Sequence, residues 1–274
     1  MQDAPSRQLF EGWGPFASLP LHQQEQLRTE LLSINLQPGE MLYDFEQLPP
    51  GVLSITEGQL RLLGLDQRKE PFTLERYSRG QLAGAEQLLR GIPGQAMAAS
   101  TALQATLLPA ELFLQLIQQH PSLLNGFREL RPAELYAVTA SRNDPRLPAA
   151  QELLQWARQA CGQAHVVELL PPGEQQLSDV AGSWLISSGN IEGETPGTLL
   201  QGAEKLNVLG RLPARLLPVP AHWPPQRQQE PSSLEAPAPS EPAPSLQLQR
   251  EALEDWYGRL RDDGSFPQYK RSPA

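Results

Sequence analysis

Four short motifs occur twice in the same order, and this internal repetition constrains the fold more than any other feature of the 274-residue chain. Leu36-Gln37-Pro38-Gly39-Glu40 is echoed by Leu170-Pro171-Pro172-Gly173-Glu174, and Leu53-Ser54-Ile55-Thr56-Glu57-Gly58 by Leu185-Ile186-Ser187-Ser188-Gly189. Gly84-Ala85-Glu86 returns as Gly202-Ala203-Glu204, and Ala105-Thr106-Leu107-Leu108-Pro109 as Ala214-Arg215-Leu216-Leu217-Pro218. Ordered recurrence of this kind is the mark of a duplicated architecture. The spacing contracts, however: 22 residues separate Gly58 from Gly80, but 8 separate Gly189 from Gly197. The expectation is a complete unit followed by a shortened copy that has lost a hairpin. The copy should pack against the first unit, because missing strands leave edges to cover.

Within the first unit, Leu27, Leu31 and Ile34 fall on one helical stripe, and Gly39-Glu40 then turn the chain into strands. Leu53 and Ile55 alternate with polar neighbours, as do Leu60 and Leu62 beyond Glu57-Gly58, a pattern that predicts a hairpin. A strand over Phe72 to Tyr77 runs into Gly80. Pro109 opens a helix carrying Leu112, Phe113, Leu116 and Ile117, which ends before Pro121. Pro148 opens another, with Leu153, Trp156, Ala157 and Ala160 on its apolar face and Gly162 as its stop. The predicted fold class is mainly β with flanking helices (α+β): a β-roll over 1–130, then a connecting helix and a shortened second roll over 131–223.

Between Pro224 and Pro244 there are seven prolines among Gln, Ser, Glu and Ala, so 224–245 reads as a disordered linker. In 246–274 an amphipathic helix is predicted, with Leu246, Leu253, Trp256 and Leu260 on one face, before a tail ending SFPQYKRSPA that reads as a cut chain.

The net charge of -9 disfavours a nucleic-acid binder, which needs cations to displace counterions. The segment after 130 is proline-broken and acidic, where a helix-turn-helix would otherwise follow. One cysteine, Cys161, excludes an internal disulfide, and His22, His120, His165 and His222 have no metal-ligand spacing, so no metal or cofactor is expected. No apolar run reaches the ~18 residues of a membrane span. Cys161 on a helix face reads as a packed small residue, Trp184 and Trp223 as core, and Arg211 and Arg215 as a solvated basic pair. No catalytic residue is assigned, and the chain is read as a non-enzyme.

The turn Pro38-Gly39-Glu40, the stretch LSITEGQLRLL ending at Leu63, RGQLAGAEQLL at 79–89 and LLPAELFLQLIQQHP at 107–121 together resemble the cyclic-nucleotide-binding-domain family of catabolite activators and kinase regulatory subunits. The family holds its ligand on a cassette of the form G-E-x-x-x-L-x-x-x-x-R-x-A. There, helix N-terminal N–H groups and an arginine hold the cyclic phosphate, and the glutamate takes the ribose hydroxyl. The resemblance places Gly84 at the glycine, Ala85 at the glutamate and Gly94 at the arginine, with Gln95 and Ala96 following. Both charged contacts are gone, and losing a buried charged partner costs roughly 2–5 kcal/mol. Glu86 and Arg90 lie nearby, but no arginine occurs between Gly91 and Thr101.

The resemblance therefore implies a degenerate shell acting as a regulatory or interaction module for a protein partner, with no cyclic nucleotide. The alternative is a sensor that binds one in an altered pocket of Gly84, Ala85, Glu86, Arg90, Gly94 and Gln95. GSWLISSGNI at 182–191 and FPQYKRSPA at the end further resemble the N-terminal region of cyanobacterial peptidase-containing ABC exporters. That likeness implies a cytoplasmic part of a transport protein, at the inner face of the plasma membrane through its parent, with Trp256 and Leu260 as docking anchors.

Overall fold

The computed structural model describes residues 13–162, 164–176, 183–201, 205–210 and 213–226. After a 3-10 turn at Gly14–Ser18, the order is α1 (Leu21–Glu30), β1 (Leu32–Leu36), β2 (Met41–Tyr43), β3 (Gly51–Glu57), β4 (Gln59–Leu65), β5 (Pro71–Ser78), β6 (Leu82–Ala83), α2 (Ala85–Arg90), β7 (Ala96–Ala99) and β8 (Leu103–Pro109). Next come α3 (Ala110–Gln119), a 3-10 segment (Pro121–Phe127), α4 (Pro132–Ala140) and α5 (Ala150–Cys161). The remaining strands are β9 (Val167–Leu169), β10 (Gly173–Gln176), β11 (Ser183–Ser188), β12 (Asn190–Ile191), β13 (Leu199–Gln201), β14 (Lys205–Leu209) and β15 (Ala214–Val219).

The strands form antiparallel sheets ordered β1-β8-β3-β6 and β2-β7-β4-β5, then β9-β15-β11-β13 and β10-β14-β12. Read in parallel, β9 to β12 stand where β1 to β4 do, and β13, β14 and β15 stand where β6, β7 and β8 do. Only β5 lacks a counterpart among the described residues. The fold is mainly β, with helices flanking the rolled sheets.

The expected hairpin across Gly58 is not formed. β3 pairs with β8 and β6 in one sheet, while β4 pairs with β5 and β7 in the other, so Gly58 is a corner where the chain changes sheets. Its φ is +85°, and a Cβ there would lie 2.1 Å from the Ala102 carbonyl oxygen. Gly189 does the same between β11 and β12, with a Cβ 2.4 Å from Ala214 Cα. Glycine is needed at both for the left-handed turn and for the close approach of the crossing strand. The true hairpin is β4–β5. Its tip is held by Asp66 Oδ1, which accepts from the N–H groups of Arg68 and Glu70.

Two other expectations are corrected. α1 ends at Glu30, Leu31 is extended, and Ile34 belongs to β1, so the stripe with Leu27 does not exist. Leu27 is the one buried residue of that helix, which therefore has little apolar face to extend. In α5 the buried stripe is Leu153, Leu154, Ala157 and Cys161, whereas Trp156 is 45% exposed. α3 starts after Pro109 and buries Phe113, Leu116 and Ile117, as its spacing predicts, while Leu112 is only half-buried.

One apolar cluster runs from Leu53, Leu60 and Tyr77 through Leu135 and Leu153 to Leu185, Leu217 and Trp223. α4 and α5 thus share a core with strands on either side of them in the sequence. A second cluster gathers Trp184, Ile186, Leu200, Val208 and Leu216. Both tryptophans are core residues, and Trp223 Nε1 donates to Thr139 Oγ1 at 3.0 Å.

Candidate ligand site

α2 is a six-residue helix whose N-cap, Gly84, takes a left-handed conformation, and Gly91 closes it by donating to the Gln87 carbonyl. Its short length puts Glu86 and Arg90 one turn apart. Ala85, its first residue, is buried, and Gly94 is at the surface, where its N–H donates to the Phe45 carbonyl.

Arg90 points into buried surroundings. Its Nη1 donates to Gln95 Oε1 at 3.4 Å, Gln87 Nε2 donates to the same oxygen at 3.3 Å, and Gln95 Nε2 donates to the Ala133 carbonyl at 3.3 Å. Burial lowers the Arg90 pKa, opposed by the charge of Glu134 and reinforced by that of Arg215. Burial raises that of Tyr43, with the Arg90 charge pulling it back. Tyr43 Oη, Gln87 Oε1 and Arg90 Nε are buried without hydrogen-bond partners.

Glu86 has different surroundings. It lines a pocket of about 160 Å³ together with Gln81, Leu82, Gly126, Phe127, Glu129 and Arg131, and Arg90 is not among its walls. The structure therefore joins Arg90 to Gln95 in the interior, sets Glu86 on a pocket wall that Arg90 does not share and leaves Gly94 exposed, while the charges of Arg90 and Glu86 both act on Tyr43.

Sequence reasoning missed the strongest polar feature. Arg215, read as half of a solvated pair, is 1% exposed. Its Nε and Nη2 reach Glu134 Oε1 and Oε2 at 2.8 and 3.0 Å, its Nη1 reaches Glu168 Oε1 at 2.6 Å, and Nη2 also donates to the Phe127 carbonyl. Ser187 Oγ donates to Glu134 Oε1 at 2.7 Å. Burial would raise the Glu134 pKa, but the charge and hydrogen bonds of Arg215 outweigh it and hold the carboxyl below its ordinary value. At Glu168 burial prevails over Arg215 and Arg128, and the pKa is raised. The available signal was a charge inside an unbroken apolar run, Ala214-Arg215-Leu216-Leu217, at the echo of Thr106.

Cys161 is buried, and desolvation pushes its pKa up to about 12. His165 forms an isolated backbone bridge with Glu129. No three His, Cys, Asp or Glu side chains among the described residues are grouped to hold a metal ion. No described helix is long and apolar enough to cross a membrane. Trp256, Leu260, most of the 224–245 linker, the 246–274 segment, Arg211 and the Gly202-Ala203-Glu204 echo lie outside the described residues.

No family model matches the chain, and no curated protein does. Among solved structures it is similar to a transcriptional regulator of the Crp/Fnr family from Eubacterium rectale, at 18% identity over 42% of this chain and 55% of that one, TM-score 0.39. It is similar to the regulatory subunit of a cAMP-independent protein kinase A from Trypanosoma brucei, at 17% identity over 51% of each chain, TM-score 0.43. A third is the sensor domain of the transcriptional regulator DNR from Pseudomonas aeruginosa, at 15% identity over 51% of this chain and 94% of that one, TM-score 0.40. The chain spans about half the length of the first two of these structures.

Proposed function

We propose that this chain is a non-catalytic regulatory or interaction module, built on a roll of the cyclic-nucleotide-binding type that has given up its nucleotide. One observation carries this reading: where a nucleotide cradle would need an outward-facing cation, Arg90 is buried against Gln95, near the charge of Glu134. The substitution of both cassette charges, by Ala85 and Gly94, supports it. So does the size of the nearby pocket, about 160 Å³, against the 300–1,000 Å³ of ordinary small-molecule sites. Residues 131–223 we read as a connecting segment and shortened second roll, supported by the matching strand orders. Calorimetric titration of cyclic AMP and cyclic GMP tests the module reading. The expected result is no saturable heat up to millimolar nucleotide, and micromolar binding overturns it.

A sensor with an altered pocket is the second reading, favoured by the unpartnered Arg90 Nε and Tyr43 Oη. It requires micromolar nucleotide binding that Arg90→Met abolishes.

From the stretches at 182–191 and 266–274 we further propose that the module serves an ABC-type exporter on the cytoplasmic side, with Trp256 and Leu260 docking on the parent. Reading the gene beyond the codon for Ala274 tests this. Membrane spans followed by an ATPase domain are expected, and a continuing frame that encodes neither overturns the exporter context.

A further inference from the structure

The pocket beside α2 holds an unbalanced charge. Two carboxylates, Glu86 and Glu129, and one guanidinium, that of Arg131, line it, and Glu75 engages the same guanidinium from outside the wall. Its Nη2 sits 2.6 Å from Glu75 Oε1, its Nη1 3.4 Å from Glu129 Oε2, and its Cζ 5.7 Å from the centre of the Tyr77 ring. Both terminal nitrogens of Arg131 are thus engaged by Glu75 and Glu129, so Arg131 acts on Glu86 through its charge and not through a hydrogen bond. Glu86 is 9% exposed and forms part of the pocket wall, yet its Oε2 is buried with no hydrogen-bond partner. A desolvated carboxylate left so is costly, and a cationic N–H donor is the group that relieves it.

We infer that this pocket is a binding site for a compact organic cation, an ammonium or guanidinium on a short carbon stem, with Glu86 as its principal partner and Glu129 at its rim. The volume of about 160 Å³ suits such a group and is too small for a nucleotide. The excess of carboxylates over the single Arg131 selects against anions. The cation can arrive as a free small molecule or as an arginine or lysine side chain of a protein partner. Glu86 belongs to both this pocket and the altered nucleotide pocket, whereas Arg90 and Gln95 line only the latter, so Arg90→Met abolishes nucleotide binding and leaves cation binding in place.

The test is calorimetry on the whole chain at low salt, with methylguanidinium chloride and with a capped Gly-Arg-Gly peptide. Saturable binding of at least one is expected, weakened about tenfold or more by Glu86→Gln and several-fold by Glu129→Gln, a rim change that spares the buried wall. Tighter binding of the peptide assigns the site to a partner's side chain, and tighter binding of methylguanidinium to a free molecule. Absence of saturable binding by both probes, or unchanged affinity in both variants, overturns the proposal.

Discussion

Arg215 and Glu134 are 81 positions apart in the chain and meet as a two-pronged pair with both side chains 1% exposed. The pair fastens β15 to α4, and Glu168 on β9 and the Phe127 carbonyl complete the arginine's partners. Arg215→Met strands the Glu134 carboxylate and leaves Glu168 only Arg128 at 3.8 Å, and breaking a buried pair from one side costs about 3–5 kcal/mol. Urea denaturation should show that loss. The double change Arg215→Met with Glu134→Leu should recover part of it, since it removes the stranded charge along with its partner.

The same cluster shapes the response to pH. The Glu134 carboxyl sits below its ordinary value of 4.5, so it contributes stability that is present above that value and lost as pH falls through the folded pKa. Glu168 and Glu75 are raised above 4.5, chiefly by burial, and they take up protons more readily folded than unfolded. Their effect has the opposite sign: stability increases as pH falls through their folded pKa values. The melting temperature should therefore pass through a maximum on the acid side of neutrality and then decline. Glu134→Gln should lower the maximum and remove most of that decline.

Gly58 and Gly80 have nearly the same φ, +85° and +82°, but only Gly58 faces another backbone at short range. Gly80→Ala should cost about 1–2 kcal/mol for the left-handed conformation alone. Gly58→Ala adds a Cβ 2.1 Å from the Ala102 carbonyl and should cost clearly more, with denaturation curves of the two variants as the measurement.

Thr139 Oγ1 accepts from the Trp223 indole and donates to the Leu135 carbonyl. Thr139→Val keeps the shape and removes both bonds, leaving the buried indole N–H unpaired at a cost of about 1–3 kcal/mol. The loss should appear in the melting curve, and a red-edge change in tryptophan fluorescence should accompany it.

Cys161, buried and with its pKa pushed up to about 12, should be inert to a thiol reagent at neutral pH in the folded state. It should react fully in denaturant, so absorbance after addition of a disulfide reagent reports global opening.

Much of the fold was legible because local chemistry determined it. Alternation marked β3 and β4, Pro109 and Pro121 bounded α3, and Gly162 stopped α5. Which strand pairs with which was not legible at Gly58, since a hairpin and a corner between sheets both demand a left-handed glycine there. The difference lies in Ala102 and Leu103, more than forty residues further on. At the candidate site, the sequence identified Arg90 and Gln95 as neighbours of α2. It could not separate Glu86 from them, because the direction of a side chain on a single helical turn depends on what packs above it. Arg215 was misread for the same reason: its partners come from α4 and β9, and a count of local charge sees none of them.

The pairing of β1 with β8 joins Leu32 to Leu107. A ribosome adding about 5–20 residues per second keeps β1 waiting roughly 4–15 s for its neighbour to be made, not counting passage through the exit tunnel. Until then its backbone donors and acceptors have only water or a chaperone. β8 stands between β1 and β3, so the first sheet cannot close before codon 103 is read, although β3 can already meet β6, and a pause in translation there prolongs the exposure of an open edge.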